Sequence, residues 1–399
     1  MNELFEQSQR RLDRTSLDFI RGLEAKIRWK SRLIGVRGAR GTGKTTLLLQ
    51  HLKKQNFEPG RVLYVSLDNL WFGSHSLPEL AHRFVREGGT HLYLDEAHKH
   101  PQWAQIIKNL YDDFPDLSIV FTGSSLLEIL NARADLSRRA IVYSIQGLSF
   151  REYLNLEAKT NFPVHSLADI LANHETLSRE ICEQTKPFQF FLSYLETGYY
   201  PYFTEGLDVY PMRLEETVSM ILEIELPLLR QVEIAYIQKL RQLLGIISES
   251  APFVPNVSKL AERIGINRQT LLSYLRYLEE AHLTRNLYKE ARGIGVLQKP
   301  DKIFLENSNL MYLLKGRRWD RGNVRETFLA NQLGYEHTLE FPPSGDLLVD
   351  KKYLIEVGGK NKTARQLREA EHFRGFIAAD DIEYGYGNKI PLWLFGFLY

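Results

Sequence analysis

Cysteine is almost absent: Cys182 is the single one in 399 residues. A lone thiol excludes an internal disulfide framework and fits a reducing compartment, so Cys182 reads as an inert core residue. No sign of charge dominates either. The 51 Lys and Arg against 49 Asp and Glu leave a net +2, which gives no global field to draw the chain onto nucleic acid or a lipid surface. Long hydrophobic runs are missing as well. The longest late one, Pro391 to Tyr399, falls far short of the roughly 20 apolar residues that cross a bilayer. The first residues are polar and lack the apolar stretch of a signal peptide. These absences predict a cytoplasmic protein without membrane contact. What remains, 44% hydrophobic and 25% charged residues, is ordinary soluble composition, in a chain long enough for two to four domains.

The most informative stretch is Gly38-Ala39-Arg40-Gly41-Thr42-Gly43-Lys44-Thr45, a complete G-x-x-x-x-G-K-[ST] pattern. Its context supports it: Arg32 to Val36 reads as a short buried strand and Thr45 to Gln50 as the start of a helix. Glycines let backbone N–H groups wrap a phosphate, and the helix N-terminus adds partial positive charge. Lys44 is expected to reach the β- and γ-phosphates and Thr45 to ligate Mg²⁺. This predicts a nucleoside triphosphate as ligand. About fifty residues on, His91-Leu92-Tyr93-Leu94-Asp95-Glu96 is an apolar strand ending in two carboxylates. Asp95 suits the metal shell, and Glu96 suits the group that orients an attacking water. Asp95-Glu96-Ala97-His98 also spells a helicase box, but no second arginine-supplying domain follows. His91, His98 and His100 lack metal-ligand spacing and read as solvated or capping histidines.

The strand Leu117 to Phe121 runs into Thr122-Gly123-Ser124-Ser125. Thr122 and Ser124 are candidates to touch the γ-phosphate or the water, and a plain Gly-Ser turn stands beside that reading. Ser137-Arg138-Arg139-Ala140 precedes another strand, Ile141 to Ile145. Arg139 could neutralise transition-state charge, in its own subunit or a neighbour's; a solvated arginine pair is the other reading. The first thirty residues are locally basic, with Arg11 and Arg21 among them, and read as a solvated helix face.

Alternating strands and helices over 31–146 predict an α/β fold, a parallel sheet wrapped by helices. An N-terminal helical segment (1–30) precedes it and a helical region (147–235) follows. Over 236–300 the pattern is helix, turn, helix and wing, a winged helix: Val257 to Ile264 with Ser258 as a plausible cap, Gly265 at the turn, and Asn267 capping Arg268 to Glu280. Leu271, Leu272, Leu275 and Leu278 share the second helix's buried face, while Leu283 to Tyr288 and Val296 to Lys299 suit the wing strands. Arg268, Gln269 and Arg276 are residue types able to touch DNA. The last segment, 301–399, reads as a small α/β unit. It has a helix carrying Glu326, a hairpin with Asp346 and Glu356 on adjacent strands, and a closing strand over Leu392 to Leu398. These three acids are the kind that a metal-dependent nuclease converges on one ion. The lysine expected two residues after the last acid is replaced by Gly358, with Lys360 the nearest.

Val36-Arg37-Gly38 before the loop, Leu94-Asp95-Glu96, Thr122 to Ser125 and Leu148-Ser149-Phe150-Arg151-Glu152-Tyr153 together resemble a group of prokaryotic AAA-type ATPases. In that group a winged helix and a C-terminal domain related to the PD-(D/E)XK nucleases follow the ATPase. The resemblance covers nearly the whole chain. It implies ATP and Mg²⁺ as ligands, with Lys44, Thr45, Asp95 and Glu96 in the roles above, and maps Asp346, Glu356 and Glu326 onto the nuclease acids. Two departures stand out: Arg138 replaces the glycine that commonly precedes the family arginine, and Glu356-Val357-Gly358-Gly359-Lys360 replaces the E-x-K motif. Three functions follow as expectations. The first is an ATP-driven switch acting on DNA, a protein partner or a second copy. The others are an ATP-gated nuclease and a nucleotide-sensing DNA-binding regulator.

Overall fold

The computed structural model describes residues 1–55, 57–123, 136, 138–230, 234–289, 299–315, 319–363 and 373–399. They form two compact units, 1–147 and 148–399.

The first unit is a parallel sheet between helices, as the alternation of apolar strands and amphipathic helices predicts. Its strands are β1 (Leu33–Arg37), β2 (Val62–Ser66), β3 (His91–Asp95), β4 (Ser118–Gly123) and β5 (Ile141–Ser144), in the order β2-β3-β4-β1-β5. Every pairing is parallel. Both faces are covered, which is why the strands read as nearly unbroken apolar runs rather than alternating ones. On one face Leu63, Leu92, Leu94 and Phe121 pack with α4 (Leu77–Arg86) and α5 (Trp103–Asp113). On the other, Ile34, Val36, Tyr64, Tyr93 and Val120 pack with α3 (Lys44–Gln55). Before the sheet come α1 (Asn2–Arg14) and the short α2 (Leu23–Lys26). The basic N-terminal segment is not merely a solvated face: α1 lies against β2, where Ser8 Oγ accepts from the Tyr64 amide at 3.3 Å. Covering an edge strand in this way removes a row of open backbone groups.

The second unit begins with helices, among them Phe150–Glu157, Leu167–Gln184 and Tyr210–Met220. Cys182 is half-buried on the second of these, and burial pushes its thiol up to about 11, in line with an inert role. The helix Ile234–Ser250 leads into the helix–turn–helix Val257–Ile264 and Arg268–Glu280. Gly265 takes the left-handed conformation at φ +70° between them. Asn256, not Ser258, caps the first helix, accepting from the Lys259 amide at 3.1 Å. Asn267 caps the second as predicted. Leu271, Leu275 and Leu278 are buried, but Tyr274 takes the place expected for Leu272. Strand β6 (Thr284–Leu287) pairs antiparallel with β7 (Lys302–Leu305). Residues 296–298 lie outside those described. The boundary expected at 300 therefore falls inside a strand pair.

A five-stranded sheet closes the unit, ordered β12-β11-β10-β9-β8. Its members are β8 (Leu339–Glu340), β9 (Leu347–Val349), β10 (Tyr353–Gly358), β11 (Arg374–Ala379) and β12 (Lys389–Pro391). The predicted hairpin is β9–β10, and β11 and β12 add in parallel. The expected closing strand is instead a 3₁₀ helix, Leu392–Phe397, with every residue buried. A short apolar run is equally at home in a buried strand or a buried helical turn. Among the described residues no helix is long and apolar enough to cross a membrane.

Candidate functional site: a phosphate-binding loop and its acid strand

In the first unit β1 ends at Arg37 and α3 begins at Lys44, so residues 38–43 form the loop between them. Gly41 and Gly43 sit at φ +81° and +91°, where a side chain would strain the backbone. Gly38 is needed for space. A Cβ there would lie 2.2 Å from the carbonyl oxygen of Ile145 and 3.1 Å from Thr42 Oγ1. Gly38→Ala is therefore expected to force the end of β5 off the loop, costing about 2 kcal/mol by overpacking. A lowered thermal midpoint together with weakened nucleotide binding checks this. Thr42 is fully buried and donates to the Ala39 carbonyl at 2.9 Å, while Lys44 Nζ donates to the carbonyls of Gly38 (2.9 Å) and Ala39 (2.8 Å). Arg40 is half-buried in the same turn.

Because β4 lies between β1 and β3, the loop, Thr122 and Asp95 come together at one end of the sheet. Asp95 is 2% exposed. Its Oδ2 accepts from Thr45 Oγ1 at 2.7 Å, and its Oδ1 accepts from Thr122 Oγ1. A hydroxyl whose proton is committed to a carboxylate aims its lone pairs elsewhere, so Thr45 and Asp95 together form a donor set suited to Mg²⁺. Thr122 also accepts from the Glu96 amide at 3.1 Å. Glu96 stands in the left-handed region at φ 52°. For a residue with a side chain this conformation costs energy and clusters at functional sites. The Glu96 carboxylate lies 3.6 Å from His98 Nε2. His98 departs from its solvated reading: its side chain is 7% exposed. Burial, and then the charges of Lys99, Lys44 and Arg40, lower it to about 4, leaving it neutral near pH 7.

Ser124 and Ser125 lie outside the described residues. Arg139 is not brought to the loop. It stands two residues before β5, whose first residue pairs with Ile34 near the start of β1, so it belongs to the sheet end opposite the phosphate loop. There it makes a two-point pair with Asp112, at 2.9 and 3.0 Å.

Two contributors were missed by sequence reasoning. Arg21, 7% exposed, donates to the carbonyls of Thr42 (2.7 Å), Gln146 (2.8 Å) and Gly147 (3.0 Å), tying the loop to the end of the unit. Tyr64 on β2 donates to Asp95 Oδ2 at 2.7 Å. Neither carries a local signal, since an arginine in a basic segment and a tyrosine in an apolar strand are both unremarkable.

In the second unit Glu326, Asp346 and Glu356 are neighbours. Burial first, and then the Asp346 charge, raises the Glu326 carboxyl; in Glu356 burial likewise leads and Asp346 adds to the rise. Glu326 pairs with Lys302 at 2.6 Å and Glu356 with Lys362 at 3.0 Å, while Asp346 accepts from the Val357 amide at 2.7 Å. Among the described residues no group of three or more His, Cys, Asp or Glu is arranged to hold a metal ion. The lysine nearest the last acid is Lys362, not Lys360. Its side chain lies over Gly358, where a Cβ would stand 2.7 Å from it.

Residues 30–154 match the family model described as AAA domain. The sheet and the phosphate-binding loop of the first unit lie within this match, so this stretch is similar to AAA domains. Residues 189–320 match a second model, described only as a domain of unknown function (DUF8612). An uncharacterized protein of Methanocaldococcus jannaschii is 28% identical over 410 residues, covering 92% of this chain and 85% of that relative. Among solved structures, the Walker-type ATPase PABY2304 of Pyrococcus abyssi aligns over 78% of this chain and 95% of its own, at 12% identity and a TM-score of 0.40. AMPPCP-bound DnaA of Aquifex aeolicus aligns over 69% and 87%, at 16% identity and a TM-score of 0.27.

Proposed function

We propose that the chain is a Mg²⁺-dependent ATPase of AAA type whose nucleotide state switches the second unit on a DNA or protein partner. The observation that carries this reading is the cluster Thr45–Asp95–Thr122–Glu96 beside a glycine loop with a buried lysine. The loop amides of 38–43 and Lys44 bind the phosphates of ATP. Thr45 and Asp95 hold Mg²⁺, and Glu96 orients the attacking water and takes its proton. Mg²⁺ held by Thr45 and Asp95 would supply charge neutralisation at the phosphates. His98 sits against Glu96, its Nε2 3.6 Å from the carboxylate. Arg139 can reach a γ-phosphate only from a second copy of the chain, at the cost of its pair with Asp112.

DNA is the partner class favoured by Arg268 and Gln269, which are exposed at the start of the second helix of the helix–turn–helix. Arg276 contributes less, because its Nε is held by Glu280 at 2.9 Å. Of the alternatives, the nucleotide-sensing regulator shares these features. The nuclease reading gains Lys362 beside Glu356, but Lys302 and Lys362 occupy the carboxylates a metal would need.

Hydrogen exchange of the full chain with Mg²⁺ and either ADP or a non-hydrolysable ATP analogue tests the switch. The expected result is a change in protection within 148–399 between the two nucleotides. Differences confined to the loop and strand ends of the first unit would remove the switch from the account.

A further inference from the structure

Asp95 is held on a third side by a side chain that the chemistry of phosphate loops does not require. Tyr64 comes from β2, the strand neighbouring β3, in the register Tyr64↔Tyr93 and Ser66↔Asp95. It is 2% exposed, and its hydroxyl donates to Asp95 Oδ2 at 2.7 Å, the same oxygen that receives Thr45. The phenol in turn accepts from Arg11 Nη1 at 3.0 Å, and the Arg11 guanidinium stands 5.5 Å from the centre of the ring. Arg11 belongs to α1, which is fixed by two further contacts. The Tyr64 amide donates to Ser8, and Asn69 donates to Gln7 at 2.8 Å. A chain of hydrogen bonds thus runs from α1 through one buried phenol to the carboxylate at the end of the acid strand.

We propose that Tyr64 is a positioning residue for Asp95, and that α1, through Arg11, sets how well the site holds Mg²⁺. The inference rests on the ATPase reading. Its physical basis is geometric. Thr122 on β4 fixes one carboxylate oxygen, while Thr45 reaches the other from the first turn of α3, next to the phosphates. Tyr64 is the donor to that second oxygen that comes from the sheet, so it holds Oδ2 from a strand as Thr122 holds Oδ1. Arg11, accepted by the same phenol oxygen, orients the hydroxyl proton toward Asp95. If α1 is drawn off β2 by a partner, the phenol loses Arg11 and the carboxylate loosens, which makes the N-terminal helix an input to the site.

The test is a titration of a fluorescent ATP analogue against full-length wild type, Tyr64→Phe, Arg11→Gln and the double variant, first in EDTA and then with rising Mg²⁺. Removing one hydrogen bond to a charged group is expected to raise the Mg²⁺ concentration for half-maximal tightening about tenfold in Tyr64→Phe. Metal-free nucleotide affinity should stay unchanged. Arg11→Gln should shift Mg²⁺ dependence the same way by about threefold, as a weaker effect relayed through one hydrogen bond. The double variant should go no further than Tyr64→Phe, because Arg11 acts through the phenol. An unaltered Mg²⁺ dependence in Tyr64→Phe, or additive shifts in the double variant, would overturn the inference. So would an equal loss with and without metal. If Tyr64→Phe unfolds, Arg11→Gln on the surface helix decides by the same criterion. A wild type whose affinity ignores Mg²⁺ would instead overturn the ATPase reading, and this inference with it.

Discussion

Lys44→Ala is expected to lose nucleotide binding on the order of a hundredfold or more, the largest effect of any single substitution in the chain. Lys44 is 5% exposed, with its ammonium turned onto the carbonyls of Gly38 and Ala39. It is therefore already desolvated and placed at the phosphate position, so little ordering remains to be done on binding. Truncating one member of a buried, hydrogen-bonded charge pair costs about 2–5 kcal/mol, and about 3 kcal/mol is a hundredfold in affinity. The fold should survive, because only the end of the side chain is polar and its alkyl stem packs at the start of α3. Calorimetric titration with Mg²⁺ and ATP, beside a thermal melt of both proteins, measures the two quantities separately.

Glu96→Gln should separate binding from turnover. The amide keeps the size of the side chain and leaves the backbone bond from the Glu96 amide to Thr122 in place, so ATP should bind as in wild type. It cannot take a proton from water. General-base assistance contributes typically 10²–10⁴-fold, and turnover is expected to fall by about that factor, trapping the triphosphate. The left-handed backbone at φ 52° bears on this. It turns the side chain away from the strand direction that Asp95 follows, so the two adjacent acids serve different partners.

The phosphate loop was legible because its chemistry dictates residue types at fixed spacing, and the strands around it because both faces of the sheet are buried. Asp95 and Glu96 were legible for the same reason, as a polar pair ending an apolar run. What escaped the sequence was contact between distant segments. Arg11 meets Tyr64 across 53 positions and Arg21 meets Gln146 across 125, and nothing local marks either arginine as different from its solvated neighbours. The pair of Arg139 with Asp112 was hidden too, because proximity to a strand said nothing about which end of the sheet the arginine joins. In the second unit β6 pairs with β7, a short strand that the sequence reading assigned to the next domain. Lys362 is the plainest case. Its approach to Glu356 needs Gly358 to have no side chain, so the absence first read as a lost lysine is the space another lysine fills.

The central claim is that Glu96, set beside a metal-holding Thr45–Asp95 pair, turns nucleotide binding into hydrolysis. Single-turnover release of inorganic phosphate from Mg²⁺–ATP, with enzyme in excess and wild type compared with Glu96→Gln, tests it most directly. The account predicts release by wild type and retention of intact ATP by the variant at equal occupancy. Equal release by both proteins, or none from wild type with ATP bound, would contradict it.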